Sequence, residues 1–152
     1  MTARMAGPAT NNGVADALAM ARSIVELAIA RIAHRRMPIE GIHDLNHRSA
    51  AHGRSPAHAQ PGDAELVSRV ACILPRVAEY MPWRADCLVQ AMAAQRWLDT
   101  KGIATSILIG VDKPAGQFDA HAWLQHGDRV VTGGQVARFT VLLETATDDT
   151  AN

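Results

Sequence analysis

The sequence lacks an excess of charge of either sign, because its 15 basic residues are balanced by 15 acidic residues. Nucleic-acid-binding domains usually carry a clear basic excess, so this balance argues against a nucleic-acid partner. A long uninterrupted apolar run is also missing. The most hydrophobic segment, residues 14–33, contains Asp16, Arg22, Glu26 and Arg31. A membrane span tolerates few charges at its centre, so we expect no span here.

Cysteine is scarce, with only Cys72 and Cys87 in the chain. The N-terminus lacks the charged start, apolar stretch and small-residue cleavage site of a secretory signal. Two cysteines without such a signal do not make a disulfide framework, which predicts a reducing, cytoplasmic compartment. Cys72 lies in an apolar helical run, and we expect it to be a small core residue.

Aromatic residues make up only 4 % of the chain, but apolar residues make up 48 %. This is enough for a hydrophobic core, and 152 residues fit one domain. An alternating spacing of three and four predicts a long helix over residues 13–35. Its expected buried face consists of Val14, Leu18, Ala21, Val25, Ala28 and Ile32.

Residues 39–62 hold His43, His47, His52 and His58 among proline, glycine, serine and alanine. This composition predicts a linker or a loosely ordered loop. The histidines are irregularly spaced and have no carboxylate or thiol partner close by. We therefore interpret them as solvated loop residues instead of metal ligands.

The remaining sequence predicts two further helices followed by a sheet. Asp63 is a candidate N-cap for the first of these two helices. The other one runs from Asp86 or Cys87 to Lys101, and Gly102 closes it. Period-two patterns then predict four strands, at residues 103–111, 118–125, 129–131 and 138–143, with a tight hairpin at 126–128. Helices followed by a small antiparallel sheet indicate an α+β fold.

Cys87 and His121 are the strongest functional signal in the sequence. Cys87 opens a predicted helix directly after the Pro82-Trp83 break. A thiol at a helix N-terminus lies near the positive end of the backbone dipole, which favours the thiolate. An imidazole held on a strand can take the thiol proton and later return it to a leaving amine. The pair predicts catalysis by a cysteine nucleophile.

Three motifs, in this order, make residues 81–143 resemble the leader peptidases of lasso-peptide biosynthesis, which are transglutaminase-like cysteine proteases. The motifs are Cys87-Leu88-Val89-Gln90-Ala91, Ile109-Gly110-Val111 and Ala120-His121-Ala122-Trp123. The resemblance implies a transglutaminase-like or papain-like cysteine protease core, which we place at residues 63–145. It would follow a helix and loop extension over residues 1–62 and precede a disordered tail over residues 146–152.

The activity that the resemblance implies is removal of the leader from a ribosomally made precursor by a cofactor-free, metal-free cysteine endopeptidase. Cys87 would be the nucleophile and His121 the general base and acid. The implied partners are the leader region of the precursor peptide, a leader-recognition protein and a macrolactam cyclase. In the family, the leader-recognition domain is strand-rich and is either fused or separate. The helical first 80 residues predict the separate form.

The sequence departs from the family at the third catalytic position. The family typically has an aspartate where this chain has Gly133, twelve residues after His121. If residues 126–127 form the hairpin turn, Thr132 faces His121. Thr132 or a backbone carbonyl near Gly133 could then accept the ring N–H. Asp119 lies on the same strand face as His121 but is badly placed to reach the ring.

Two alternatives stay open from the sequence. The missing aspartate is compatible with a non-catalytic scaffold that binds the precursor and its partners. A transglutaminase-like acyl transferase would use the same cysteine and histidine to make an isopeptide bond instead of cutting a peptide.

Overall fold

Four helices precede four strands in the computed structural model, which describes residues 12–113 and 116–143. The helices are α1 (Asn12–His34), α2 (Gly41–His52), α3 (Asp63–Glu79) and α4 (Cys87–Asp99), with a short 3-10 turn, Pro56–His58, between α2 and α3. The strands are β1 (Ser106–Asp112), β2 (Asp119–His126), β3 (Arg129–Thr132) and β4 (Thr140–Leu143). The predicted α+β order is confirmed. The predicted disordered tail, 146–152, lies outside the described residues.

The strands form one antiparallel sheet in the order β3-β2-β1-β4. The turn between β2 and β3 consists of Gly127 and Asp128, since His126 pairs with Arg129. Gly127 has a φ of 56°, which favours glycine in a two-residue hairpin turn. The sequence-based alternative, a turn at residues 126–127, is therefore wrong by one residue.

Helix α4 lies at the centre of the molecule, between the other helices and the sheet. It packs against α1, α3 and β2. Its inward residues include Ala91, Ala93 and Ala94, which are fully buried and allow neighbouring backbones to approach closely. The helix ends at Asp99, two residues before the predicted Lys101, and Thr100 is its C-cap. Gly102, with a φ of 67°, then turns the chain away from the helix axis. The first residue of this central helix is Cys87, so the core fixes the position of the thiol.

The predicted buried face of α1 is wrong, because Val14, Leu18, Val25 and Ile32 are more than half exposed. The face that packs on the core carries Ala19, Ser23, Glu26, Leu27 and Ala30. The buried Glu26 carboxylate is paired with Arg22 at 2.7 Å and with Arg96 at 2.9 Å. A charge can be buried when it is paired, so a helix face that mixes apolar and charged residues can pack against the core.

The prediction of a loop over residues 39–62 is also wrong, because α2 occupies much of that segment. The helix is held by polar contacts with β1, which no local pattern reveals. The Asn46 side chain accepts the N–H of Ile107 at 2.7 Å and donates to its carbonyl at 2.8 Å. Asn46 thus replaces a strand partner at the start of β1, where β4 does not reach. Each buried backbone group left unpaired would cost about 1–3 kcal/mol.

Asp63 is the first residue of α3, and not its N-cap as predicted, because Gly62 occupies the capping position. The Asp63 carboxylate accepts two hydrogen bonds from Arg54, at 3.0 and 3.2 Å, and one from the Gln60 N–H. The Arg54 guanidinium is the main reason why the pKa of Asp63 is lowered. Arg54 also donates to the Lys101 carbonyl at 2.9 Å, so it joins the start of α3 to the end of α4.

Within the described residues, no helix combines the length and the apolar character needed to cross a membrane.

Candidate active site

Cys87 is the first residue of α4, and Asp86 caps this helix. The Asp86 side chain accepts the backbone N–H of Val89 at 3.1 Å, as an N-cap residue does. Gln90 closes the same turn by donating its side-chain amide to the Ala85 carbonyl at 2.8 Å. These two bonds fix the direction in which the chain enters the helix. The half-buried Cys87 thiol therefore has a defined place at the positive end of the helix dipole.

His121 lies on β2, where it pairs with Gly110 of β1. A Cβ atom at Gly110 would lie 2.9 Å from the ring of Trp123 and 2.9 Å from the Cβ of Phe139. Only glycine leaves room for these two aromatic side chains, which stand beside the imidazole. This explains the glycine in the Ile109-Gly110-Val111 motif.

One nitrogen of the His121 ring is held by the backbone. Nε2 lies 2.7 Å from the carbonyl oxygen of Gly133. A carbonyl oxygen can only accept a hydrogen bond, so Nε2 carries the hydrogen and Nδ1 is the unprotonated nitrogen of the neutral ring. Nδ1 is thus the ring atom that can take a proton from a thiol.

Phe139 fixes the plane of the imidazole. Its ring stacks on His121 with the centroids 4.9 Å apart and an angle of 25° between the planes. Arg138 covers Phe139, with its guanidinium carbon 4.5 Å from the ring centroid. The same guanidinium binds Asp112 at 3.2 Å and Asp119 at 2.6 Å. Asp119 is therefore engaged with Arg138, and it supports the imidazole only through this stack.

Replacing Phe139 with leucine is expected to lower the turnover number of a reaction carried out by Cys87 and His121 about 10-fold, with little change in KM. Leucine keeps the apolar volume but removes the flat surface that orients the imidazole, and small misplacements of a catalytic group reduce the rate strongly. Phe118→Leu is the matched control, because Phe118 is exposed and contacts Lys113 instead. Steady-state kinetics of both variants test this, and equal effects would contradict the positioning role.

Cys87 and His121 line the same open groove, a cavity of about 530 Å³. Gln90 and the segment Val130–Gly134 form its other walls, together with Ala71 and Pro75 of α3. The structure thus brings together the two residues that the sequence singled out, at the junction of α4 with the sheet.

Thr132, the side-chain candidate for the third catalytic position beside His121, is placed less favourably than the Gly133 carbonyl. Thr132 pairs with Leu124 and not with His121, although it also lines the groove. Its hydroxyl oxygen is buried and has no hydrogen-bond partner among the described residues. Of the groups considered from the sequence, the one that meets the imidazole is the backbone carbonyl of Gly133.

Cys72, expected in the core, is exposed. The inward face of α3 carries Val67, Val70 and Leu74, and Cys72 lies on the other side of the helix. The residues His43, His47, His52 and His58 are exposed as well. Among the residues that the structure describes, no group of three histidine, cysteine, aspartate or glutamate side chains could hold a metal ion.

Phe139, Arg138 and Gln90 are site residues whose roles the sequence did not indicate. Gln90 belongs to the first motif, three residues after Cys87, but the motif alone does not indicate what its side chain does. Phe139 reaches His121 from beyond a turn in which Gly133 and Gly134 have positive φ values. This placement depends on the turn, and no spacing rule anticipates it.

A family model described as transglutaminase-like superfamily matches residues 24–144. The match includes Cys87, His121 and all four strands. Neither the search of curated proteins nor the search of solved structures gives a match.

Proposed function

The chain belongs to the transglutaminase-like superfamily, and we propose that it is a cysteine endopeptidase that removes the leader from a lasso-peptide precursor. One observation supports the peptidase chemistry most strongly. Cys87 and His121 line one groove, while the Gly133 carbonyl occupies Nε2 of the imidazole and leaves Nδ1 as the basic nitrogen. The three motifs shared with lasso leader peptidases support the substrate class.

In the proposed reaction, His121 Nδ1 takes the proton of the Cys87 thiol, and Sγ attacks the scissile carbonyl carbon. The tetrahedral intermediate collapses as the C–N bond breaks, and the imidazolium returns its proton to the leaving amine. The leader remains as a thioester on Cys87. A water molecule, deprotonated by Nδ1, then attacks this thioester, and the thiol and the leader carboxylate are released.

The helix start supplies a donor for the oxyanion. The first N–H groups of an α-helix have no intrahelical acceptor, and the Val89 N–H is already used by Asp86. The N–H of Cys87 itself therefore stays available to the carbonyl oxygen that becomes negative during attack. Trp83, which precedes the helix, is not among the residues that line the groove.

The Gly133 carbonyl takes the part of an orienting group. It fixes the tautomer and the direction of the ring, as a carboxylate does in a triad, but with a dipole instead of a full negative charge. This contact favours the catalytic interpretation over the scaffold alternative, because a binding scaffold does not require an oriented imidazole beside a thiol.

The proposed partners follow from the shape of the groove and from the resemblance. An unfolded leader loses much conformational freedom on binding, and an open groove offers it few contacts. A separate leader-recognition protein would hold the leader close to Cys87, and a macrolactam cyclase would use the new N-terminus. We expect weak cleavage by the chain alone and faster cleavage with the recognition protein.

Cleavage of a lasso precursor in the presence of the leader-recognition protein tests the proposal. Mass spectrometry is expected to detect a free leader with a C-terminal carboxylate and a core peptide with a new N-terminus. Addition of a primary amine distinguishes the acyl-transferase alternative, which would give a leader amide. Amide as the main product, or an intact precursor at all enzyme concentrations, would contradict the peptidase assignment.

A further inference from the structure

The solvent face of α1 is apolar along almost its whole length. Four of the exposed large apolar side chains of the described residues lie on this face, Val14, Leu18, Val25 and Ile32, and Ile24 lies at its flank. Met20 is exposed as well but lines a groove between α1 and α3. Five others, Ile39, Tyr80, Phe118, Val141 and Leu142, are scattered over the rest of the surface. Contiguous exposed apolar patches of this kind usually mark an interaction surface.

The spacing on this face is that of a coiled-coil seam. The positions 14, 18, 21, 25, 28 and 32 alternate in steps of four and three, which is the a/d pattern of a heptad repeat. The core-facing stripe of Ala19, Leu27 and Ala30 lies on the opposite side of the helix. Helix α1 thus has one face committed to its own domain and a second face patterned for another helix.

We propose that this second face, which we call the α1 seam, pairs with the α1 seam of a second copy of the chain in antiparallel orientation. A two-fold axis near position 23 places Val14 opposite Ile32, Leu18 opposite Ala28, and Ala21 opposite Val25. By symmetry each pairing occurs twice, so in the four inner layers of the six a large side chain meets alanine. Facing layers that alternate large and small residues pack without voids.

A parallel pairing fits the same residues less well. It would place Ala21 against Ala21 and Ala28 against Ala28, which leaves two poorly filled layers in the interface. In contrast, Leu18 would meet Leu18 in the layer between those of Val14 and Ala21. The order of residue sizes along the seam therefore selects the antiparallel arrangement. A closed two-fold interface is also the commonest symmetry of homo-oligomers.

The charges of α1 are compatible with self-association. None of the six seam positions is charged. Arg22, at the flank, meets its own copy near the axis, but its guanidinium is already bound to Glu26 at 2.7 Å. Glu26 is shared with Arg96 at 2.9 Å, so it offsets only part of the Arg22 charge. The rest lies on a side chain that is 42 % exposed, at the flank of the seam where water and salt screen it.

The size of the seam predicts a reversible dimer. Its four large side chains are 52–67 % exposed. Together with the two alanines and the flanking Ile24, they correspond to an interface of about 500 Å² on each copy, or about 1,000 Å² in total. This is near the lower limit for specific interfaces. We therefore expect dissociation in the micromolar range and a monomer–dimer equilibrium that depends on concentration.

The dimer would leave both active sites accessible. The residues that line the groove belong to α3, α4 and the sheet region, and none of them belongs to α1. Each copy can then bind its own peptide, and disruption of the seam is not expected to change the cleavage rate of a single copy.

Sedimentation velocity of the full chain between about 1 and 200 µM tests the proposal. The wild type is expected to shift from monomer to dimer, and Val25→Glu, which puts a charge in the central layers, is expected to stay monomeric. Tyr80→Glu is the control, because Tyr80 is exposed at the end of α3. A wild type that is monomeric throughout, or a dimer that persists in Val25→Glu, would overturn the proposal.

Cross-linking distinguishes the two orientations. In a Cys72→Ser, Cys87→Ala background, a cysteine at position 24 lies close to its own copy in the antiparallel dimer. Two cysteines at position 14 would instead be about 27 Å apart along the axis. A short bismaleimide is therefore expected to link Ile24→Cys dimers and not Val14→Cys dimers. The reverse result would overturn the antiparallel register.

Discussion

The Cys87→Ala variant is expected to lose precursor cleavage by a factor on the order of 10⁴ or more, because removal of a nucleophile leaves only the background reaction. Helix α4 should be unaffected, since alanine is a good helix former and the N-cap bond that the Val89 N–H donates to Asp86 does not involve the thiol. The cleavage assay with the leader-recognition protein measures the loss. Thermal unfolding shows whether the fold is retained.

Cys72→Ala is the matched control for this prediction. It removes the other thiol of the chain, which is exposed on α3 and does not line the groove. We expect it to cleave the precursor at the wild-type rate. Equal activity of Cys87→Ala and Cys72→Ala would remove the nucleophile assignment, whereas loss in Cys87→Ala alone would support it.

The Gly133→Asp variant is expected to be less active than the wild type by at least about 100-fold, although it introduces the aspartate typical of the leader peptidases that the sequence resembles. A Cβ atom at this position would lie less than 3 Å from the Cβ of Trp123, which cannot swing away, and Gly133 has a φ of 109°. Strain and overpacking together should lower the free energy of unfolding by about 2–5 kcal/mol.

Gly134→Asp provides the control for the aspartate itself. Gly134 also has a positive φ, 68°, but a Cβ atom there would meet nothing within 4 Å, and aspartate tolerates this conformation better than most residues. We expect Gly134→Asp to retain most of its stability and activity. Higher activity in Gly133→Asp would show that a carboxylate fits beside His121, and it would contradict the role given to the Gly133 carbonyl.

Helix α4 and the strands could be predicted from sequence because their signals are local. Asp86 caps the start of α4, Gly102 lies three residues after its last residue, Asp99, and the period-two pattern follows directly. The buried face of α1 could not be predicted, since the helix has two apolar stripes and the more regular one faces solvent. Periodicity alone does not tell which of two such stripes the core will use.

Helix α2 and the group that orients His121 were hidden for a different reason. The α2 sequence is polar, and its place depends on the two hydrogen bonds between Asn46 and Ile107, 61 residues away. The orienting group is a backbone carbonyl, which every residue has and no residue type signals. It points at His121 because the turn at Gly133 adopts a positive φ.

The central claim, that His121 activates Cys87, is tested most directly by the alkylation rates of the two cysteines with iodoacetamide at about pH 6, where an ordinary thiol is almost fully protonated. Peptide mass spectrometry separates the two rates. We expect half-buried Cys87 to react faster than exposed Cys72, and His121→Ala to remove this advantage. Faster alkylation of Cys72 in the wild type, or a Cys87 rate unchanged in His121→Ala, would contradict the claim.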